Sequence, residues 1–257
     1  MGFLDKVRAY KLEEVEELNP ENFGDRRRPV LNPLEYIISR PVIAEVKRAS
    51  PTAGVIRLSD PVEQALLYQR GGAGAVSVLV DERFFRGSWS YLKDVASEVE
   101  IPVLCKEFIL SEKQIEAAYR CGADFVLLIY GFVERDRLVE LMRFASAMGL
   151  GVLLEVFAPE HLEEALSVDV PMIGVNSRNL QDLSVDLARG RRMLSRIPGG
   201  RFKVAESGMR SLDDVRLMAE AGASAFLIGE MLMRAEDPVS LLEEINGLCE
   251  GVRREGP

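Results

Sequence analysis

Acidic and basic side chains follow several short apolar segments of this sequence, where they could donate and accept protons. Glu45 and Lys47 alternate with Ala44 and Val46, and Lys106 ends another apolar run. Side chains alternate between the two faces of a strand, so Glu45 and Lys47 should share one face if the apolar pair packs outward. An ammonium group beside a carboxylate can exchange protons near neutral pH. The pattern therefore predicts acid–base chemistry.

Polar residues at the ends of three more apolar runs enlarge this set. Glu155 follows Leu153-Leu154, and Asn176 and Glu206 close two later runs. Each could be an isolated ion pair or hydrogen bond at a strand end. Buried charges are costly, however, and are retained mainly where they are paired or useful. We therefore expect one catalytic group in a partly buried site: Glu45, Lys47, Lys106, Glu155, Asn176 and Glu206.

Eight apolar runs, most of them rich in β-branched residues, must position these groups. Near-continuous hydrophobicity is typical of strands that are covered on both faces. Helical patterns separate the runs, which predicts the α/β class and a closed (βα)8 TIM barrel. An open doubly wound sheet is the alternative, but no Gly-rich dinucleotide fingerprint follows the first run. The predicted strands are Val42–Val46, Ala75–Val80, Pro102–Lys106, Phe125–Ile129, Val152–Val156, Met172–Val175, Phe202–Ala205 and Ala225–Ile228.

The segment 1–41 precedes the first predicted strand and is long enough to fold. Leu4, Val7, Tyr10 or Lys11, and Val15 recur at helical spacing, which predicts one or two helices packed against the barrel. We expect a single domain over 1–257, with an N-terminal helical extension (1–41) and a barrel (42–257). The run of three arginines at 26–28 is interpreted as a solvated loop rather than a binding patch.

Composition excludes several functional classes. A formal net charge of −9 over 257 residues disfavours nucleic acid and anionic membranes as partners. No apolar stretch reaches the roughly 18 residues of a membrane span, so we expect a cytoplasmic protein, monomeric or weakly homo-oligomeric. His161 is the one histidine, and Cys105, Cys121 and Cys249 have no CxxC spacing. A His-centred triad, a multi-histidine metal site and a disulfide framework are therefore disfavoured.

Two glycine-containing loops predict a phosphate site. Ser207-Gly208 and Gly229-Glu230 follow the seventh and eighth predicted strands. In (βα)8 barrels these loops commonly bind phosphate through backbone amides, and glycine lets the backbone approach the anion. We therefore expect a small anionic substrate that carries a phosphate group.

Together these segments resemble the indole-3-glycerol-phosphate synthase family over essentially the whole chain. The family converts 1-(2-carboxyphenylamino)-1-deoxyribulose 5-phosphate into indole-3-glycerol phosphate, carbon dioxide and water in tryptophan biosynthesis, without a metal or organic cofactor. The resemblance thus implies a carbon–carbon carboxy-lyase that needs no cofactor. The matching segments are 43–51, Phe84-Phe85-Arg86-Gly87-Ser88, 104–109, Leu154-Glu155-Val156, 174–180, 204–208 and Leu227-Ile228-Gly229.

The resemblance also implies catalytic roles. Lys106 would be the general acid toward the ribulose carbonyl. Glu155, Glu45 and Lys47 are candidates for the later proton transfers, with the individual steps left open. Asn176 and Glu206 would orient the sugar hydroxyls and the lysines.

Substrate-binding positions follow from the same resemblance. Arg178 would pair with the anthranilate carboxylate, a task that suits its planar guanidinium. Glu230 stands where the family usually has Ser or Thr, so it should point away from the phosphate and leave only backbone contacts. Phosphate contacts are assigned to Ser50, Gly208 and Gly229, an apolar wall to Phe85 and Phe108, and further contacts to Leu180, Ser207, Ile228 and Glu230.

Two other functions fit the residues less well. Another phosphosugar barrel enzyme is one of them, including a lysine Schiff-base aldolase that would use Lys106 or Lys47 as a desolvated nucleophile. The other is a non-catalytic phosphosugar-binding protein or an interaction subunit of a larger complex, which would have no need for so many acids and bases. Trapping with borohydride distinguishes the aldolase from an enzyme that only transfers protons.

Overall fold

The architecture is a closed parallel barrel surrounded by helices. The computed structural model describes residues 2–47, 49–50, 54–55 and 59–255, with the backbone alone at 49–50, 55 and 253–255. Within these residues eight parallel strands pair in sequence order, and the last pairs with the first to close the barrel. This confirms the predicted fold class. The strands are β1 (Val42–Val46), β2 (Ala75–Leu79), β3 (Val103–Lys106), β4 (Phe125–Ile129), β5 (Gly151–Val156), β6 (Met172–Asn176), β7 (Phe202–Glu206) and β8 (Ala225–Ile228).

Helices connect the strands and cover the outside of the barrel. Ser111 and Ser211 begin two of them with reciprocal capping boxes that involve Gln114 and Asp214, which satisfy free amide groups of the first turn. Within the described part of the chain, no helix combines the length and apolar character needed to span a bilayer. The helices are α1 (Phe3–Glu17), α2 (Pro33–Ile37), α3 (Pro61–Arg70), α4 (Glu82–Phe85), α5 (Trp89–Glu98), α6 (Glu112–Arg120), α7 (Arg135–Ala147), α8 (Leu162–Leu166), α9 (Leu187–Arg196), α10 (Leu212–Glu220), α11 (Glu230–Arg234) and α12 (Pro238–Glu255).

Strand alternation divides the apolar residues into two cores. Ala44 and Val46 of β1 join the outer core between strands and helices, whereas Ile43 belongs to the inner core of the barrel. On β3, Cys105 packs outward and Leu104 inward. The polar residues that continue the inward-facing rows therefore enter the barrel mouth at the carboxyl ends of the strands.

The N-terminal extension is helical, as predicted. Helix α1 buries Leu4, Val7, Lys11 and Val15, and α2 precedes β1. A buried lysine in this apolar stripe needs a charged partner, because an isolated buried charge is costly.

The expectation of a solvated arginine loop was wrong for two of its three arginines. The side chain of Arg26 is only 4% exposed and that of Arg28 is 16% exposed, and both form ion pairs with Asp124, which has no exposed surface. Arg27 is exposed, as expected. The extension is thereby fixed to the amino-terminal end of the barrel, because Asp124 immediately precedes β4 and also accepts the backbone N–H of Val103.

Candidate active site

A cavity of about 970 Å³, including its open mouth, lies at the carboxyl ends of the strands. Glu206 is not part of its wall but lies next to Lys106. The side chain of Ser50 lies outside the described residues, so its predicted phosphate contact is untested. The other predicted positions line the cavity: Glu45, Lys47, Phe85, Lys106, Phe108, Glu155, Asn176, Arg178, Leu180, Ser207, Gly208, Ile228, Gly229 and Glu230.

Lys106, the last residue of β3, lies between two carboxylates. Its Nζ is 3.3 Å from Oε2 of Glu155 on β5 and 3.5 Å from Oε2 of Glu206 on β7. Both glutamates are buried, while the Lys106 side chain remains 16% exposed toward the cavity. The buried glutamates therefore fix the ammonium group, while its remaining exposed surface faces the cavity. A proton donor to a bound molecule needs both.

Burial and neighbouring charges set the protonation of this cluster. Burial disfavours the charge of Lys106, but Glu155, Glu206 and Glu45 outweigh it and raise the pKa of the lysine, which stays protonated at neutral pH. Burial, with Glu155 beside it, holds the pKa of Glu206 well above its usual range. Two carboxyl groups that share one cation favour retention of a proton, because both charges together are repulsive. The site can thus store an exchangeable proton next to Lys106.

Asn176, at the end of β6, orients the Glu155 carboxylate. Its Nδ2 donates to Oε1 of Glu155 at 2.9 Å, and its Oδ1 accepts the backbone N–H of Arg178 at 2.9 Å. Both Glu155 oxygens therefore have a partner, one the amide and the other Lys106. This fixes the plane of the carboxylate before any ligand enters.

A second ion pair comes from β1. Lys47 Nζ lies 3.2 Å from Oε1 of the buried Glu45 and 5.5 Å from the ring centroid of Phe85. The two side chains emerge on one face, as strand alternation predicts. The cavity is therefore lined by two lysine–glutamate ion pairs, Lys47 with Glu45 and Lys106 with Glu155.

Two glycines, Gly174 and Gly229, lack a side chain where the carboxylates of Glu206 and Glu45 lie. A Cβ at Gly174 on β6 would lie 2.0 Å from Oε1 of Glu206, and one at Gly229 would lie 2.5 Å from Oε1 of Glu45. Such separations are far inside van der Waals contact. Neither glycine could become alanine without moving the adjacent carboxylate.

Aromatic rings form one wall of the cavity. Phe85 is the last residue of α4, Phe108 follows β3, and their ring centroids are 6.0 Å apart with an interplanar angle of 38°. Leu180 is buried on the loop after β6, which also carries Arg178, whose Nη1 donates to the carbonyl of Leu183 at 2.9 Å. Burial lowers the pKa of Arg178, although its guanidinium remains charged. A flat apolar ring with an anionic substituent would suit this wall.

The loops after β7 and β8 also line the cavity. Ser207 and Gly208 both have positive φ, 61° and 83°, and for Ser207 this backbone is strained, a feature that clusters at ligand sites. Glu230 is turned along α11, where its Oε1 accepts from Nε of Arg234 at 2.9 Å. Residues of both loops thus line the cavity, and the Glu230 carboxylate there is hydrogen-bonded to Arg234.

Sequence reasoning missed two charged residues that line the cavity, Glu107, which is buried, and Arg210, which is exposed. Glu107 contributes to its wall and forms an ion pair at 3.0 Å with Lys11 of α1. Burial raises the pKa of Glu107 to about 7. A lysine within the apolar stripe of α1 was the available signal, since such a position requires a buried acid. Arg210, which also lines the cavity, had no distinctive sequence signal.

A closed parallel barrel with lysine–carboxylate pairs at the carboxyl ends of its strands defines the class of (βα)8-barrel enzymes that act by acid–base chemistry. Residues 6–245 match the family model described as indole-3-glycerol phosphate synthase. The chain belongs to the indole-3-glycerol phosphate synthase family.

Two relatives match this chain in sequence over nearly its full length. The chain is 43% identical over 242 residues to the indole-3-glycerol phosphate synthase of Oceanobacillus iheyensis, covering 91% of this chain and 93% of the relative. It is 36% identical over 261 residues to that of Aquifex aeolicus, covering 96% of this chain and 100% of the relative.

Solved structures at low identity show the fold. Thiamine phosphate pyrophosphorylase from Pyrococcus furiosus matches with a TM-score of 0.64 at 18% identity, covering 83% of this chain and 97% of that protein. Mandelate oxidase matches with a TM-score of 0.58 at 18% identity, covering 84% of this chain and 72% of that protein. These matches support the barrel and carry no information on the reaction.

Proposed function

We propose that this chain catalyses ring closure of 1-(2-carboxyphenylamino)-1-deoxyribulose 5-phosphate to indole-3-glycerol phosphate, with loss of carbon dioxide and water, as a carboxy-lyase of tryptophan biosynthesis. The observation that carries the proposal is Lys106, a largely buried ammonium that reaches the cavity and is flanked by the buried Glu155 and Glu206, in a cavity that Phe85 and Phe108 also line. Membership of the family supports the same reaction.

In the proposed first step Lys106 donates its proton to the ribulose carbonyl oxygen. The carbonyl carbon becomes more electrophilic, and the aromatic carbon that bears the carboxylate attacks it to form the new carbon–carbon bond. The carboxylate leaves as carbon dioxide, and the electron pair of the broken bond restores unsaturation in the ring. Fixing the two reacting carbons next to each other supplies much of the acceleration, and Glu155 fixes the ammonium that polarises the carbonyl.

Dehydration then requires a second acid and base. The new hydroxyl accepts a proton and leaves as water. The adjacent ring carbon loses a proton to a carboxylate or amine, and a carbon–carbon double bond forms between the two carbons. Glu155, Glu45 and Lys47 supply these groups in the proposal. Asn176 and Glu206 orient the reacting side chains, since Asn176 bonds Glu155 and Glu206 contacts Lys106.

Substrate binding uses the remaining predicted positions. Arg178 pairs with the anthranilate carboxylate while Phe85, Phe108 and Leu180 contact the aromatic ring. The phosphate is bound by backbone amides of the loops after β7 and β8, at Ser207, Gly208, Ile228, Gly229 and Glu230, with Ser50 contributing from the loop after β1.

The proposal also covers the domain organisation, location and oligomeric state of the protein. One domain, comprising the barrel (42–257) and the helical extension (1–41), acts in the cytoplasm as a monomer or weak homo-oligomer. The net charge of −9 supports a small-molecule substrate rather than a nucleic-acid partner.

A fluorescence assay tests the reaction directly. The purified protein is mixed with the carboxyphenylamino substrate in the presence of a chelator, and formation of the fluorescent indole is followed over time. We expect turnover that is unchanged by the chelator. Loss of activity on chelation would establish a metal requirement, and covalent trapping of substrate by borohydride would instead favour a Schiff-base aldolase.

A further inference from the structure

Lys11 is a buried cation of the N-terminal extension that contacts carboxylates from two other segments. Its side chain has no exposed surface, and its Nζ lies 2.9 Å from Asp81 and 3.0 Å from both Glu107 and Glu14. Asp81 and Glu107 are themselves buried, and Glu14 is partly exposed. One lysine thus neutralises acids that follow β2 and β3, which would otherwise repel each other in a low-dielectric environment.

The two acids belong to the loops that carry the aromatic wall. Asp81 is the N-cap of α4, where its Oδ1 accepts the backbone N–H of Phe84, and α4 ends at Phe85. Glu107 lies between Lys106 and Phe108 in sequence. A shift of either carboxylate would therefore move a ring that lines the cavity.

Aromatic contacts bring the same helix against the same loops. The ring centroid of Phe3 on α1 lies 5.2 Å from that of Phe84 and 6.5 Å from that of Phe108, both edge to face. Tyr10 packs edge to face on Phe84 at 6.2 Å. Such contacts stabilise a packing arrangement but tolerate small rotations, whereas an ion pair at 3.0 Å fixes where two loops meet.

We propose that Lys11 is a positioning residue for substrate recognition, which joins the loops after β2 and β3 so that Phe85 and Phe108 form one binding surface for the aromatic ring of the substrate. The inference rests on the proposed function. It assigns to the N-terminal extension a specific contribution to the site through Lys11, without contact between α1 and the substrate.

Binding of two probes distinguishes this role from general stabilisation. One probe is the substrate with its ketone reduced to an alcohol, which retains the aryl group, and the other is ribitol 5-phosphate, which lacks it. Because Lys11→Met leaves Asp81 and Glu107 buried without their cation, folding could fail, so the principal variant is Lys11→Met/Glu107→Gln. This double substitution removes one cation and one acid together and keeps the net charge of the cluster.

We expect the double variant to bind the aryl probe about tenfold more weakly and ribitol 5-phosphate within about twofold of the wild type, measured by calorimetry. Phe85→Ala should show the same selective loss. Lys11→Arg, which keeps the positive charge, should retain most of the wild-type affinity for the aryl probe. Lys6→Met removes an exposed charge from the same helix and should change neither dissociation constant.

Two outcomes would overturn the inference: equal weakening of both probes, or unchanged affinity for the aryl probe in the folded double variant. Either result would leave Lys11 with a role in stability alone. Failure of the proposed function is separately visible, because the wild-type protein would then form no indole product from the substrate.

Discussion

The two ends of the barrel both contain buried charges, but they satisfy them differently. At the amino-terminal end Asp124 accepts hydrogen bonds from Arg26, Leu31 and Val103 at 2.8–3.0 Å. At the carboxyl end Lys106 stands 3.3 and 3.5 Å from its two glutamates, and Oε1 of Glu206 is buried with no hydrogen-bond partner among the described residues. Fully paired charges stabilise one geometry, whereas the incompletely paired cluster can accept ligand atoms and exchange protons.

The largest expected effect comes from removing the cation at the carboxyl end. Lys106→Met should lower kcat by about 10²–10⁴-fold, the usual contribution of general acid catalysis, while affinity for the reduced substrate stays within about tenfold. Single-turnover kinetics and calorimetry measure the two quantities. Substantial remaining turnover would remove Lys106 from the acid role and weaken the contrast between the two ends.

At the amino-terminal end of the barrel, removing a cation should lower the stability of the protein and leave its activity unchanged. Arg26→Ala leaves Asp124 without its closest cation, and breaking a buried pair costs about 3–5 kcal/mol of unfolding free energy, or roughly 10 °C in Tm. The kcat/KM of the folded variant should be unchanged. Arg27→Ala, at the adjacent exposed position, is the control and should change neither; a loss of kcat/KM in Arg26→Ala would contradict the division between the ends.

The cluster around Glu107 gives a pH-dependent test. Burial raises its pKa from 4.5 to about 7, so the folded protein binds a proton there that the unfolded chain has lost. This contribution to stability is present below about pH 4.5 and is lost as the pH rises through about 7. Glu107→Gln should therefore become more stable relative to the wild type over that window, by up to about 3 kcal/mol.

Urea unfolding at a series of pH values measures this difference. Glu112→Gln is a control of opposite sign, because the hydrogen bond from Arg137 lowers the pKa of Glu112 and its stabilisation is lost as the pH falls. A pH-independent difference for Glu107→Gln would show that Lys11 keeps this acid charged throughout.

The smallest expected effect is on kcat, when a side chain is added at Gly174 next to the Glu206 carboxylate. Gly174→Ala should displace the carboxylate, since the new Cβ would lie 2.0 Å from its Oε1, and should lower kcat about tenfold. In a Glu206→Ala background the same substitution should be almost neutral, because non-additivity reveals a shared partner. Gly247→Ala has open space around it and serves as the control; additive losses in the double variant would show that Gly174 acts independently of Glu206.

Much of the fold and the candidate site could be predicted because the signals are local. The apolar runs predicted all eight strands to within one residue at each end, and alternation on β1 placed Glu45 and Lys47 on one face. The contacts of Arg26 could not be predicted, since its partner Asp124 lies 98 residues away. Lys11 and Glu107 are 96 residues apart, so neither segment by itself indicates that the other is near.

The sequence by itself determined the order of strands and helices, the capping of α6 and α10, and which strand residues face inward, because hydrophobic period and capping chemistry depend on residues a few positions apart. The tertiary structure decided which charges meet: Lys106 with Glu155 and Glu206, Lys11 with Asp81 and Glu107, and Arg26 with Asp124. Whether a buried charge is stabilised or left available for chemistry depends on its distance to groups far away in sequence, and closure of the barrel sets those distances.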